Sequence, residues 1–407
     1  MRTNRHPMPR YFTCIASLVT GVSACGVDGR IETAAVRDSL GVTIVESRAS
    51  TWSAGQGWVV SGDPSLRIGV AAGHPEYEFH DVRDVRRLGD GRIVVANAGS
   101  RELRFYDTDG QFIRSVGREG SAPGEFRRIA GIYSIRGDSI LVYDDGLRRM
   151  SVLDAGGGFV RSFHFEPVAY ELVWPEGYLT DGSLLAGSSV PMSSRTTTGI
   201  ERGHVQLLRF DLDGQSIDSL GSFPGAERYV EIMGDLRTTI GGPFRRISRF
   251  VAREGGFWVG TGDSFELVGY SLDGRKDRII RLDRQNRAVT PADVERYLEI
   301  RLDGLDPQAA PSIRRAIRES PFPETMPSYS QILVDEEDHV WVSEYVPPGE
   351  VGTTMWFIFA PGGEFLGVLE LPGGLGVHQI GSDFVLGVHR DELGLEEVHL
   401  YQLDRVE

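Results

Sequence analysis

The chain has 407 residues, 40% of them hydrophobic and 25% charged, and a formal net charge of −15. That apolar content fills one large domain or two ordinary ones, and the acidic balance excludes a nucleic-acid partner, which needs a basic face against phosphate. Glycine contributes 51 residues, about one in eight, a share that suits many tight turns rather than long helices.

Arg2, Arg5 and Arg10 precede the apolar run "YFTCIASLVTGVSA" (11–24), and no acidic residue occurs before Asp28. A basic start, a short apolar stretch and small residues at its end predict a secretory signal over residues 1–24, too short for a spanning helix. The ending "VSAC", Val22 to Cys25, resembles the lipobox of bacterial lipoproteins. That resemblance implies lipidation of Cys25, which becomes the new N-terminus and anchors the protein to the cell envelope, facing the periplasm or the surface. Ordinary secretion with cleavage after Ala24 is the alternative. Cys14 falls inside the signal, so no disulfide framework holds the exported domain. Residues 25–40 read as the lipidated cysteine and a polar tether.

Beyond them the chain repeats. "VANAGSRELRFYDTDGQFIRSV" (95–116) aligns without a gap to "VYDDGLRRMSVLDAGGGFVRSF" (142–163). Further copies place Tyr106, Leu153, Phe210, Tyr270, Phe359 and Tyr401 at one marker position, with spacings of 47, 57, 60, 89 and 42. Repeats of this length mean a propeller or a solenoid. Each unit resolves into an apolar first strand, a second strand such as "GDGRIVVAN" or "DHVWVSEY", a third ending in Asp-Gly or Gly-Gly, a two-residue turn, and a fourth strand. Four short strands in about 40–50 residues make a propeller blade.

The sixth unit has only three strands. Its outer strand is expected from the other end, because "SLRIGVAAGHPEYEF" (65–79) parallels "IRSVGREGSAPGEF" (113–126). The predicted fold is therefore an all-β, six-bladed β-propeller over residues 41–407, its N-terminal strand closing the last blade. "GxxGxxPGEF" joined to "D-x-x-G-x-F" resembles the NHL-type and related six-bladed propellers of bacterial lipoproteins. "GREGSAPGEF" (117–126) itself has the glycines of a phosphate loop. It lacks the Gly-Lys-Ser/Thr and the following helix, so it is expected only to turn the chain between blades.

One segment departs from strand patterning. "TPADVERYLEI" offers Thr290 as N-cap, Pro291 at N1 and Asp293 in a capping box, and "DPQAAPSIRRAIRES" starts a second helix at Asp306 and Pro307. The expectation is a short helical insertion before the fifth blade, about 290–320, acting either as a lid or docking hairpin or as packed decoration.

Zinc motifs, nucleophile elbows and cysteine pairs are absent from the sequence. The ends of the second strands, Asn97, Asp144, Ser188, Thr261 and Glu344, carry polar groups where the sixth copy has Val388. They form either a ligand-binding ring at the channel mouth or a set of turn caps. The expected function is a ligand- or protein-binding, scaffolding module, monomeric, with no cofactor. The alternative is a lactonase-like hydrolase or lyase, in which Asn97, Asp144 and Glu344 hold Ca²⁺ through oxygen donors.

Overall fold

The computed structural model describes residues 33–407 except positions 54, 169–171, 191–197, 234–235, 241, 304–307, 309, 351 and 407. The signal segment and Cys25 lie outside the described residues, as do Asp306 and Pro307.

Six sheets, antiparallel except where β2 joins β21, make up the fold. The N-terminal segment supplies β1 (Ala34–Ser39), β2 (Val42–Ser47), β3 (Gly57–Val60) and β4 (Leu66–Ile68). Blade one is β5 (Val82–Arg87), β6 (Ile93–Asn97), β7 (Glu102–Tyr106) and β8 (Phe112–Val116). Blade two is β9 (Ile129–Ser134), β10 (Ile140–Asp144), β11 (Arg149–Leu153) and β12 (Phe159–Phe163). Blade three is β13 (Val173–Tyr178), β14 (Leu184–Val190), the long pair β15 (Gly199–Phe210) and β16 (Ser216–Met233), and β17 (Leu236–Ile240). Blade four is β18 (Arg249–Arg253), β19 (Gly256–Gly260), β20 (Glu266–Ser271) and β21 (Lys276–Leu282). Helices α1 (Pro291–Leu302) and α2 (Ala310–Glu319) precede blade five, which is β22 (Gln331–Val334), β23 (Val340–Ser343), β24 (Thr354–Phe359) and β25 (Phe365–Leu371). Blade six is β26 (Leu375–Ile380), β27 (Phe384–Arg390) and β28 (Glu396–Val406). First strands neighbour one another in ring order, with β26 and β27 returning to β5. The protein is a six-bladed β-propeller with two short helices before the fifth blade.

The core follows from strand periodicity. A second strand is covered on both sides, so consecutive residues serve opposite neighbours. In β6, Ile93 and Val95 join the layer between blades six and one, while Val94 and Ala96 join the layer between one and two. β10 repeats this with Ile140 and Val142 on one side and Leu141 and Tyr143 on the other. Six apolar layers result, one at each blade junction. No axial core is needed, because every blade is a wall of two layers.

The turn into the fourth strand is longer than two residues. In blade one the Gly110 N–H donates to Asp107 O at 3.0 Å, the Asp107 N–H donates to Gln111 O at 2.9 Å, and the register shifts between Phe105 and Tyr106. This is a type I turn closed by a glycine bulge, with Gly110 at φ +76°. The Asp107 carboxylate accepts from the 109 and 111 amides, an Asx cap that Asp154 and Asp211 repeat.

The N-terminal segment corrects the tether reading. Ala34–Ser39, inside the expected tether, is a strand paired antiparallel with β2, and β2 runs parallel to β21 of blade four. Ile44 and Val45, just beyond the expected tether, are buried there. The chain then bonds along blade five, Thr51 and Trp52 N–H donating to the 365 and 366 carbonyls. Finally β3 and β4 both pair with β28. One segment thus straps the outer edges of blades four, five and six.

Residues 117–126 turn as their sequence dictates. Gly120 N–H reaches Phe126 O, and Phe126 N–H reaches Arg118 O. The Arg149 guanidinium gathers the 121, 122 and 125 carbonyls. The amides of Gly120, Ala122, Glu125 and Phe126 are thus spent inside the loop.

Candidate functional site

The face on which first strands begin and second strands end carries every sequence candidate. Asn97 and Asp144 are the last residues of their strands, and Thr261 and Glu344 follow the ends of β19 and β23. Ser188 instead lies inside β14, which continues to Val190 because it pairs with the lengthened β15.

Each of these groups is tied to its own surroundings. Asn97 is fully buried, its Oδ1 accepting from His80 N–H at 2.9 Å and its Nδ2 donating to Ser100 Oγ at 2.7 Å. The Asp144 carboxylate accepts from the backbone amides of Arg127, Arg128 and Leu147. Ser188 Oγ donates to Leu172 O at 2.9 Å. The Thr261 carbonyl accepts from Arg202. Glu344 takes Met355 N–H on one oxygen and Arg284 on the other, at 3.3 and 3.1 Å. Neither a hydrogen bond nor an ion pair joins any two of the five. Asn97, Asp144, Ser188 and Glu344 buckle second strands to incoming connections, one strand back from the channel, whereas Thr261 is held by Arg202 of β15.

The charged groups at the channel sit on the first strands, outside every motif in the sequence. At the junction of blades six and one, Asp84 of β5 takes Arg86 at 3.1 Å, His378 of β26 at 3.0 Å and Ile132 N–H of β9 at 3.2 Å. Arg86 also donates to His378 O at 2.7 Å. Burial alone would raise the Asp84 carboxyl, but the Arg86 charge and the His378 and Ile132 bonds outweigh it and hold the pKa below its ordinary value.

Across the ring a cavity of about 810 Å³ opens beside the channel, lined by Trp174, Glu176, His204, Arg249, Phe250 and Gln331 among others. Glu176 keeps part of its surface on this cavity, yet the protein around it pushes its pKa up to about 7, against the Trp174 bond and the Arg249 charge that pull it down. Trp174 Nε1 donates to Glu176 Oε1 at 2.7 Å. Arg249 Nε donates to Ser330 O and Gln331 Nε2 to Val377 O, at 2.7 and 2.8 Å. Trp174 in turn lies on Gly187, where an added Cβ would come within 2.9 Å of the indole. A carboxyl whose pKa is raised inside a cavity marks a candidate functional site. The signal in the sequence was a glutamate inside "VWPEGY", where a half-buried strand rarely keeps an unpaired charge.

A second cleft, about 1340 Å³, lies between the insert and blades five and six. Its wall includes Arg284, Arg287, Ile300 of α1, Glu344, Glu350 and His389. Helix α1 has the capping box expected of Thr290 and Asp293, and α2 is tied to it by Arg318 and Glu295 at 2.8 Å. Two of the cleft's arginines are already paired, Arg284 with Glu344 and Arg287 with Glu350 and Asp293. Among the described residues, no helix is long and apolar enough to cross a membrane.

Residues 74–174 match the family model DUF5128, described as a 6-bladed beta-propeller. No curated protein matches the chain. Solved structures similar to it include a Bacteroides fragilis protein described by its expected export, 11% identical, covering 89% of this chain and 100% of that one at a TM-score of 0.49. A member of the duf4221 family from Bacteroides vulgatus is 9% identical, covering 87% and 100% at 0.48. Virginiamycin B lyase from Staphylococcus aureus is 9% identical, covering 80% and 80% at 0.37.

Proposed function

We propose that this propeller is an exported binding module, anchored to the cell envelope by a lipid on Cys25, which captures a small organic ligand at the channel mouth. One observation carries the reading: the 810 Å³ cavity combines an indole and aliphatic walls with Glu176 and Arg249. Apolar walls around a few convergent polar groups suit a ligand with an apolar body and a polar head. With its pKa near 7, Glu176 offers a hydrogen-bond donor below neutrality and an acceptor above it. The lipid anchor rests on "VSAC" and the basic, apolar leader before it. A calcium-dependent hydrolase built on Asn97, Asp144 and Glu344 draws less support, because their oxygens already bond to amides and to Arg284.

A small-molecule library screened by thermal shift tests the mouth, with Glu176→Gln and Trp174→Phe as paired variants. Ligands that stabilise the wild type should lose affinity by roughly tenfold or more in one of them, the effect of removing a hydrogen bond to a charged or buried group. Hits unaffected by both variants would place binding elsewhere. Cys25→Ser should move the protein from the membrane fraction to the soluble one, and unchanged partitioning would remove the anchor from the proposal.

A further inference from the structure

At its connection-face end, the layer between blades five and six turns from apolar packing to metal-ligating side chains. β27 and β28 pair so that His389 lies opposite Glu397 and Gly387 opposite His399. The three side chains therefore share one face of the sheet, the face that also carries Val385 and Tyr401 into that layer. One donor atom from each of His389, Glu397 and His399 lies within 4.8 Å of the other two. The imidazoles stack with centroids 4.9 Å apart and planes 4° from parallel. His399 Nε2 stands 3.1 Å from Glu397 Oε2.

Their outer contacts fit ligation. His399 Nδ1 lies 3.3 Å from Tyr401 Oη, and a ligating imidazole ordinarily fixes its second nitrogen through such a bond. His389 Nδ1 is buried and meets no hydrogen-bond partner, a costly state for a polar atom that a cation relieves. Neighbouring cations are engaged elsewhere: Arg67, opposite His399 on β4, reaches Asp63 at 3.5 Å, and Arg390 reaches Glu396 at 2.8 Å. Two imidazoles and one carboxylate suit Zn²⁺ and its first-row neighbours, whereas Ca²⁺ takes six or more oxygens.

We propose that His389, Glu397 and His399 form a site for a divalent transition metal of the zinc class, clamping β27 to the strand on which the ring closes. This assignment is independent of the channel-mouth reading. Three protein ligands leave a fourth position for water or an added ligand, and His389 also stands in the wall of the 1340 Å³ cleft.

Zinc titration of the tag-free, full-length chain, followed by calorimetry and thermal melting, tests it. We expect one zinc per chain and a melting temperature that rises with zinc by mass action. His389→Ala and His399→Ala should abolish the response, and Tyr401→Phe should weaken affinity by about 10- to 100-fold. His164→Ala, on the surface of another blade, should bind as the wild type does. Because a buried histidine variant can misfold, copper loading of the wild type gives a second readout, with electron paramagnetic resonance showing coupling to two nitrogens. No stabilisation at millimolar zinc, undiminished binding in both histidine variants, or a copper spectrum without two nitrogens would overturn the assignment.

Discussion

Replacing Glu176 with Gln tests how the channel treats charge. A carboxyl whose pKa rises from 4.5 to about 7 on folding stabilises the native state fully below pH 4.5. That contribution disappears as pH climbs to 7 and beyond, because the unfolded chain ionises more readily. The gap is worth roughly 3 kcal/mol at most, since part of the side chain meets solvent in the cavity. Unfolding entropy of about 2.1 cal/mol/K per residue, over Thr33–Glu407, converts it to roughly 4 °C of melting temperature. Gln is neutral at every pH, and its Oε1 still accepts from Trp174. The variant should therefore melt with the wild type near pH ~4.5 and about 4 °C above it near pH ~8. Calorimetric melts of both proteins across that range measure it, and their difference cancels every group they share. A difference that does not grow with pH, or a variant less stable than the wild type at pH ~8, refutes the placement of Glu176.

Two further outcomes follow from the ring itself. Asp84→Ala leaves Arg86 and His378 without their shared carboxylate and should cost about 3–5 kcal/mol in urea unfolding, the usual penalty for one half of a buried ion pair; a loss below about 1 kcal/mol would mean that solvent replaces the bond. Truncation through Ser39 removes an exposed strand, β1, and should shift stability by less than about 1 kcal/mol, whereas truncation through Ser47 also strips away Ile44 and Val45 and should cost roughly 3–6 kcal/mol. Equal behaviour of the two truncations would show that β2 contributes nothing to blade four.

Blade count was legible because repeats leave a marker in every copy. Tyr106, Phe210, Phe359 and Tyr401 are buried side chains of third strands, and their spacing survives even where the turns drift. The helix start at Thr290 was legible because a capping box is local chemistry. Polar residues at the second-strand ends were visible too, but their partners were not: the bond from Asn97 to His80 crosses 17 positions. The channel groups were hidden for a related reason. Asp84 meets His378 across 294 positions, and no short pattern announces a contact made only when the ring closes. The β1–β2 hairpin escaped notice because alternation in "AAVRDS" is weak, and its register comes from β21 rather than from its own residues.

The strap that runs from blade four to blade six also sets the order in which the molecule can be completed. Ser65 bonds to Leu400 across 335 positions, and Leu66–Ile68 lie against Val398–Leu400. Contacts of such separation raise contact order and slow folding, since the loop must close before the pairing rewards it. During synthesis, blades one to five can form in succession, each from neighbouring chain, while β3 and β4 wait for β28. Until then the strands at both ends of the array hold unpaired backbone edges, the features most prone to pair with another chain. A second molecule offering its own β28 would satisfy β3 and β4 equally well, so crowded nascent chains face a choice between closing and exchanging ends.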